Sequence, residues 1–159
     1  MYGIENKQEA VVIAKKVVSI FGGGHKTVML MLEFAATETH LGTYPDRHPE
    51  KWGVGLTQFD QIRFDDVVTR TRGRNRRLLK QFFGYDLNTI ELADLADDAL
   101  LTFCMTRLAL KLVPESNPTT VNGRAHFWKK WWNTYHPNAK GTIEQYLDDV
   151  ENHMPRVVA

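Results

Sequence analysis

Apolar positions recur along most of this chain at the three- and four-residue spacing of a helix face. Between Lys7 and Phe21 the residues Ala10, Ile13, Ala14, Val17, Val18 and Phe21 trace one stripe, and Gly22, Gly23 and Gly24 stop it. A second helix comes at once through "HKTVMLMLEFAATETH", with Val28, Met31, Leu32 and Ala35 as its inward stripe. After Leu41 the pattern breaks, and Gly42, Pro45, Pro49, Gly53 and Gly55 mark a loop or small hairpin. Periodicity returns in "DQIRFDDVVTR", in "RRLLKQFF", in "LADDALLTFCMTRLALKLV" up to Pro114, and in "RAHFWKKWWNTY". The last segment, "TIEQYLDDVENHM", opens with the capping-box pair Thr142 and Gln145 and aligns Ile143, Tyr146, Leu147, Val150 and Met154 on one face. The pattern predicts a mainly α fold in one domain, residues 1–159, carrying a small irregular or β-hairpin lobe. No internal repeat or low-complexity linker interrupts it.

Composition sharpens this picture in three ways. At 159 residues and 43% hydrophobic the chain is long enough for one well-packed core and short for two. A net charge of +1 gives no whole-molecule attraction to nucleic acid or to an anionic membrane. The charge is nevertheless uneven: Arg70, Arg72, Arg74, Arg76, Arg77 and Lys80 form an acid-free run, succeeded from Gln81 to Thr106 by five acids and no Lys or Arg. A solvated basic helix face beside an acidic neighbour is the expected outcome. Cys104 is the single cysteine, which excludes an intramolecular disulfide and a multi-thiolate metal site, and its setting in "ALLTFCMTRLAL" predicts a buried, inert thiol. Glu5 and Glu9 interrupt any signal-peptide pattern, and no apolar run approaches the roughly 18 residues of a membrane span. The expectation is a chain made in a cytoplasm that does not export itself by the ordinary route.

One residue stands against the apolar grain. Glu38 lies three positions after Ala35, four after Phe34 and seven after Met31, so it points along the buried stripe, whereas Glu33 lies on another side of the helix. A carboxyl group at the wet end of an apolar face is partly desolvated, which raises its pKa and keeps its proton near neutral pH. A general acid for glycosidic bond cleavage is made in this way. The alternative is a loop cap, or an ion pair with Arg47 or Lys51.

The surrounding motifs resemble those of the lysozyme-like clan, in particular the soluble lytic transglycosylases and goose-type lysozymes. That pattern has a glutamate and a small hydroxyl residue ending a buried helix, a turn-rich segment, a Gly-Leu-Met-Gln motif and a late Tyr-Asn pair. Here Glu38-Thr39, "GVGLTQ" ending in Gln58, and "WWNTY" with Trp132, Asn133 and Tyr135 occupy those places in order, over roughly Val28 to Gln145. The departures are Thr39 for serine, Thr57 for methionine, and Trp132 where the family's tyrosine hydroxyl approaches the acid. The resemblance implies a lysozyme-like helical domain that cleaves the bond between N-acetylmuramic acid and N-acetylglucosamine in peptidoglycan, with no cofactor. Glu38 would be the acid, and Thr39, Trp52, Gly55, Gln58, Asn133 and Tyr135 would meet the substrate. Gly53 and Gly55 would let backbone approach a sugar closely, and Gln58 offers an amide donor and acceptor. Trp128, Trp131 and Trp132, at helical spacing, read as core, while Trp52 in the loop is the better sugar platform. Without a signal peptide, such an enzyme fits a phage endolysin released from the host cytoplasm to the periplasm, or a virion-associated protein.

A second carboxylate decides the mechanism. An inverting lysozyme needs a base holding water about 6.5–9.5 Å from the acid, whereas a lytic transglycosylase uses one glutamate as acid and then as base. Asp46 and Asp60 are the candidates. "ETHLGTYPD" is similar to the phage lysozyme pattern, with its Glu38 to Asp46 spacing one residue shorter, and this makes Asp46 the candidate for positioning water. Two other readings remain. His40 and Asp46 partly match a zinc peptidase pattern, with His48, His126 and His136 as further histidines, yet no complete three-ligand set is legible and no metal site is expected. The arginine run would serve a non-catalytic virion or nucleic-acid-binding protein.

Overall fold

The computed structural model describes residues 1–45, 53–133 and 140–159, and these are mainly helical. The described residues form seven α-helices: α1 Lys7–Phe21, α2 Gly24–Thr39, α3 Gln61–Arg70, α4 Gly73–Phe83, α5 Ala99–Lys111, α6 Val121–Trp131 and α7 Ile143–His153, with a 3₁₀ turn at Leu92–Leu95. Side chains placed at the helix starts explain where five of the seven helices begin. Asn6, Asp60, Asp98, Thr120 and Thr142 each accept a backbone N–H from the first turn of α1, α3, α5, α6 and α7. The break between α1 and α2 falls on the glycines, where Gly22 (φ 80°) and Gly23 (φ 120°) take backbone angles that a side chain resists.

Two helices form the centre. In α2, 11 of 16 residues are buried, and in α5, 11 of 13, so both are enclosed on nearly every side instead of along one stripe. α1 packs on both of them, α7 covers α2 and α6, α3 lies against α5, and α4 rests on α1. The core runs from Val17 and Phe21 through Leu30, Met31 and Phe34 to Phe103, Leu108, Trp128 and Tyr146. Cys104 is buried in α5, and burial pushes its thiol well above the ordinary range, so it is inert as expected. Among the described residues no helix is long and apolar enough to cross a membrane.

Two local expectations change. Helical spacing begins at Leu95, but Leu95 only closes a 3₁₀ turn, Leu92–Leu95, in which the Glu91 and Asp94 side chains each accept the other residue's backbone N–H. α5 begins after Asp98, whose carboxylate takes the Leu101 N–H at 2.9 Å and the Tyr85 hydroxyl at 2.8 Å, and this capping wins over the apolar period. The hairpin reduces, among the described residues, to one antiparallel bridge between Val54 and Phe59 around a tight four-residue turn.

Candidate active site

Glu38 sits in the last turn of α2, half-buried, with the helix ending one residue later. The backbone leaves the helix in an uncommon way: His40 (φ 49°), Leu41 (φ 54°) and Gly42 (φ 82°) are left-handed in succession. The Leu41 N–H reaches back to the Ala35 carbonyl at 2.9 Å, which closes the helix end, and burial of the Leu41 side chain holds this branched residue in a region it disfavours. Gln58 (φ 56°) is left-handed as well. Strained residues thus bracket the turn after Glu38 and the motif expected to face it.

The Glu38 carboxyl accepts a hydrogen bond from the Trp128 indole N–H, Nε1 to Oε1 at 3.0 Å. Burial pushes its pKa up to about 7; the Trp128 bond and the Arg63 guanidinium oppose the rise, and the Asp149 carboxylate adds to it. Burial outweighs both stabilising partners, so the group keeps its proton close to neutrality. Arg63 is itself fixed: its Nη2 donates to the Trp132 carbonyl at 2.8 Å and its guanidinium lies over the Trp132 ring at 3.9 Å. A groove of ≈ 560 Å³ between α3 and the ends of α5 and α6, lined by Ile62, Asp66, Leu112 and Trp131 among others, shares Arg63 with these surroundings; Glu38 does not line it.

Thr39 and Gly55 take positions that differ from the expected contact with substrate. Thr39 is buried, and its hydroxyl bridges the Ala35 carbonyl at 3.0 Å and the Leu56 carbonyl at 2.8 Å while accepting the Gly42 N–H. It ties the end of α2 to the 54–59 turn. Gly55 is buried, and a Cβ there would meet the Leu95 carbonyl at 2.7 Å and the Thr102 hydroxyl at 2.8 Å, so close packing on the protein explains the glycine. Gly53 is packed in the same way against the Gln58 side chain. Thr57, the residue in the methionine position, is buried and hydrogen-bonded to Thr106 at 2.8 Å, and the Trp132 indole N–H caps its carbonyl at 3.0 Å. Trp132 is therefore core. Gln58 is half-buried, with its amide N–H on the Gly55 carbonyl at 3.0 Å. Asn133 is half-buried beside Trp128, its amide oxygen accepting Lys129 Nζ at 2.9 Å. Asp60 caps α3 through the Arg63 N–H at 2.7 Å. Asp46, Trp52 and Tyr135, together with Arg47, His48, Lys51 and His136, lie outside the described residues.

Three partnerships were not legible in the chain. Trp128 reaches Glu38 from a position 90 residues away. Glu33, on the other side of α2, is buried and held by Arg124 Nε and Nη2, each at 2.8 Å, and by the Tyr146 hydroxyl at 2.9 Å. Burial and the Glu33 charge push the Tyr146 phenol well up. Finally, His40 meets Asp149 and His153 of α7, with His40 Nε2 at 3.5 Å from Asp149 Oδ1 and the two imidazoles stacked at 3.9 Å. Burial, His40 and Lys7 hold the His153 pKa below its ordinary value against the Asp149 charge.

The arginine run behaves as a solvated face. Arg70 pairs with Asp66 at 3.0 Å, Lys80 lies 3.8 Å from Asp86 in the acidic neighbour, and Arg76 bonds the Thr71 and Val68 carbonyls. Compared with family models, with curated proteins and with solved structures, the chain has no match.

Proposed function

We propose that this chain is a lysozyme-like peptidoglycan-cleaving enzyme in which Glu38 protonates the glycosidic oxygen between N-acetylmuramic acid and N-acetylglucosamine. The observation that carries the reading is a half-buried carboxyl group whose pKa is pushed to about 7, at the strained end of a buried helix, with one oxygen fixed by Trp128. Such a group is protonated often enough to give its proton at neutral pH and weak enough as an acid to take one back. In the first step the proton moves from Glu38 to the leaving oxygen as the bond to C1 of the muramyl ring breaks. The resulting carboxylate then removes a proton from the muramyl 6-hydroxyl, whose oxygen closes on C1, or from a water that attacks there.

Trp128 supplies the hydrogen-bond donor that the resemblance assigns to a tyrosine, one turn earlier than the Trp132 that aligns with it. Thr39 supports the site indirectly by fixing the turn that carries Gln58, and Gln58 and Asn133 are the described amides that the resemblance would set against sugar hydroxyl and acetamido groups. Peptidoglycan is the partner, and an endolysin or a virion-associated enzyme is the setting that suits it. Digestion of purified peptidoglycan by the parent chain and by Glu38→Gln, with the released muropeptides identified by mass spectrometry, tests the reading. The amide keeps the shape and cannot donate the proton, so the rate is expected to fall by roughly 10²–10⁴. Digestion by Glu38→Gln at the parental rate would make Glu38 structural.

A further inference from the structure

We propose that His40, Asp149 and His153 form a binding site for a divalent transition-metal ion of the zinc class, joining the end of α2 to the end of α7. Each residue offers one ligand atom, and these atoms all lie within 4.8 Å of one another. Asp149 and His153 are four positions apart and therefore share one face of α7, the spacing by which a single helix presents two ligands to one ion. His40 enters from the facing element, where its left-handed backbone at the end of α2 turns the imidazole toward that face.

The distances are those of a site that closes on its ion. A tetrahedral ion holding nitrogen and oxygen at about 2.0–2.1 Å spaces its ligands by about 3.3 Å. His40 Nε2 and Asp149 Oδ1, at 3.5 Å, are already near that value. The imidazoles lie face to face, 3.9 Å apart and 8° from parallel, so one ring must turn for both lone pairs to converge. Rotation about the bond to an imidazole is soft, and both histidines are partly exposed.

Neighbouring groups orient the ligands. The Thr37 hydroxyl donates to Asp149 Oδ2 at 3.0 Å and leaves Oδ1 toward His40, an outer contact of the kind that steadies a ligating carboxylate. The Tyr44 ring meets His40 edge-on at 4.9 Å. Lys7 is the cation nearby, and its Nζ donates to the His153 carbonyl at 2.8 Å, directed at backbone and not at the imidazole. Two imidazoles and one carboxylate favour zinc, cobalt, nickel or ferrous iron over calcium and magnesium, which take oxygen ligands. Three protein ligands leave a fourth position for water.

This site stands apart from the wall-cleaving reading, because its readout is metal content and not activity. The full chain, prepared without a polyhistidine tag and stripped with chelator, is dialysed against zinc chloride and measured by plasma mass spectrometry, with cobalt as a spectroscopic probe of coordination. One zinc per chain and cobalt absorption of a four-coordinate site are expected for the parent and for His126→Ala, whose imidazole is exposed on α6. His153→Ala and His40→Ala should each weaken binding by about tenfold or more, with helical circular dichroism unchanged. No stoichiometric uptake by the parent, or equal uptake by folded His153→Ala, would overturn the proposal.

Discussion

Glu38 holds its proton to about pH 7 in the fold, whereas in the unfolded chain it ionises near the ordinary 4.5. Below about 4.5 both states are protonated and the residue is neutral to stability. Between the two values the folded state binds more protons, so stability falls as pH rises, and above about 7 the loss is complete. The difference corresponds to about 3 kcal/mol. Glu38→Gln removes the charge and keeps an acceptor for Trp128, so thermal melts should show it more stable than the parent at about pH 8 and equal to it at about pH 4. Equal melting at both values would mean that the carboxylate is well solvated. Trp128 acts in the opposite direction to burial, since its N–H stabilises the charged form. Trp128→Phe should therefore move the Glu38 pKa further up, as followed by carboxyl carbon NMR, and a fall would show that the indole does not hold the carboxylate.

At the scale of elements, helix spacing carries the face but not the partner. The helices and the inward face of Glu38 arise from period and caps, because each is set by residues within a few positions of one another. The contacts that define the site join residues far apart: Trp128 to Glu38, Arg124 and Tyr146 to Glu33, Asp149 and His153 to His40. No local pattern encodes those pairings. The start of α5 departs from the apolar period because the Asp98 carboxylate caps the helix at the Leu101 N–H while also taking the distant Tyr85 hydroxyl. Glycine misled in another way, since Gly55 signals close approach, and its neighbours are Leu95 and Thr102. Of the long-range links, the Glu33 to Arg124 pair is the most consequential for the bundle, because both side chains are buried and it joins α2 to α6. Arg124→Met leaves the Glu33 carboxylate in the core without its cation, and equilibrium unfolding should show a loss of about 3–5 kcal/mol. A loss under about 1 kcal/mol would mean that water reaches Glu33.

For the molecule as a whole, the placement of acids bears on the products. A hydrolase of the inverting kind needs a second carboxylate free to hold water across the sugar from Glu38. Asp60 is committed to the start of α3, and Asp149 is held by Thr37 and His40 on the α7 side. Glu33 is enclosed by Arg124 and Tyr146. Among the described residues, Asp60 is thus engaged within α3, and Asp149 and Glu33 between helices, while the raised pKa of Glu38 would let one group serve as acid and then as base. We therefore expect the muropeptides to end in 1,6-anhydromuramic acid, formed when the muramyl 6-hydroxyl gives its proton to the Glu38 carboxylate and its oxygen closes on C1. Mass spectrometry distinguishes these ends from reducing ends by the mass of one water. Reducing ends alone would mean that water is positioned by another group, and Asp46→Asn should then be nearly as inactive as Glu38→Gln.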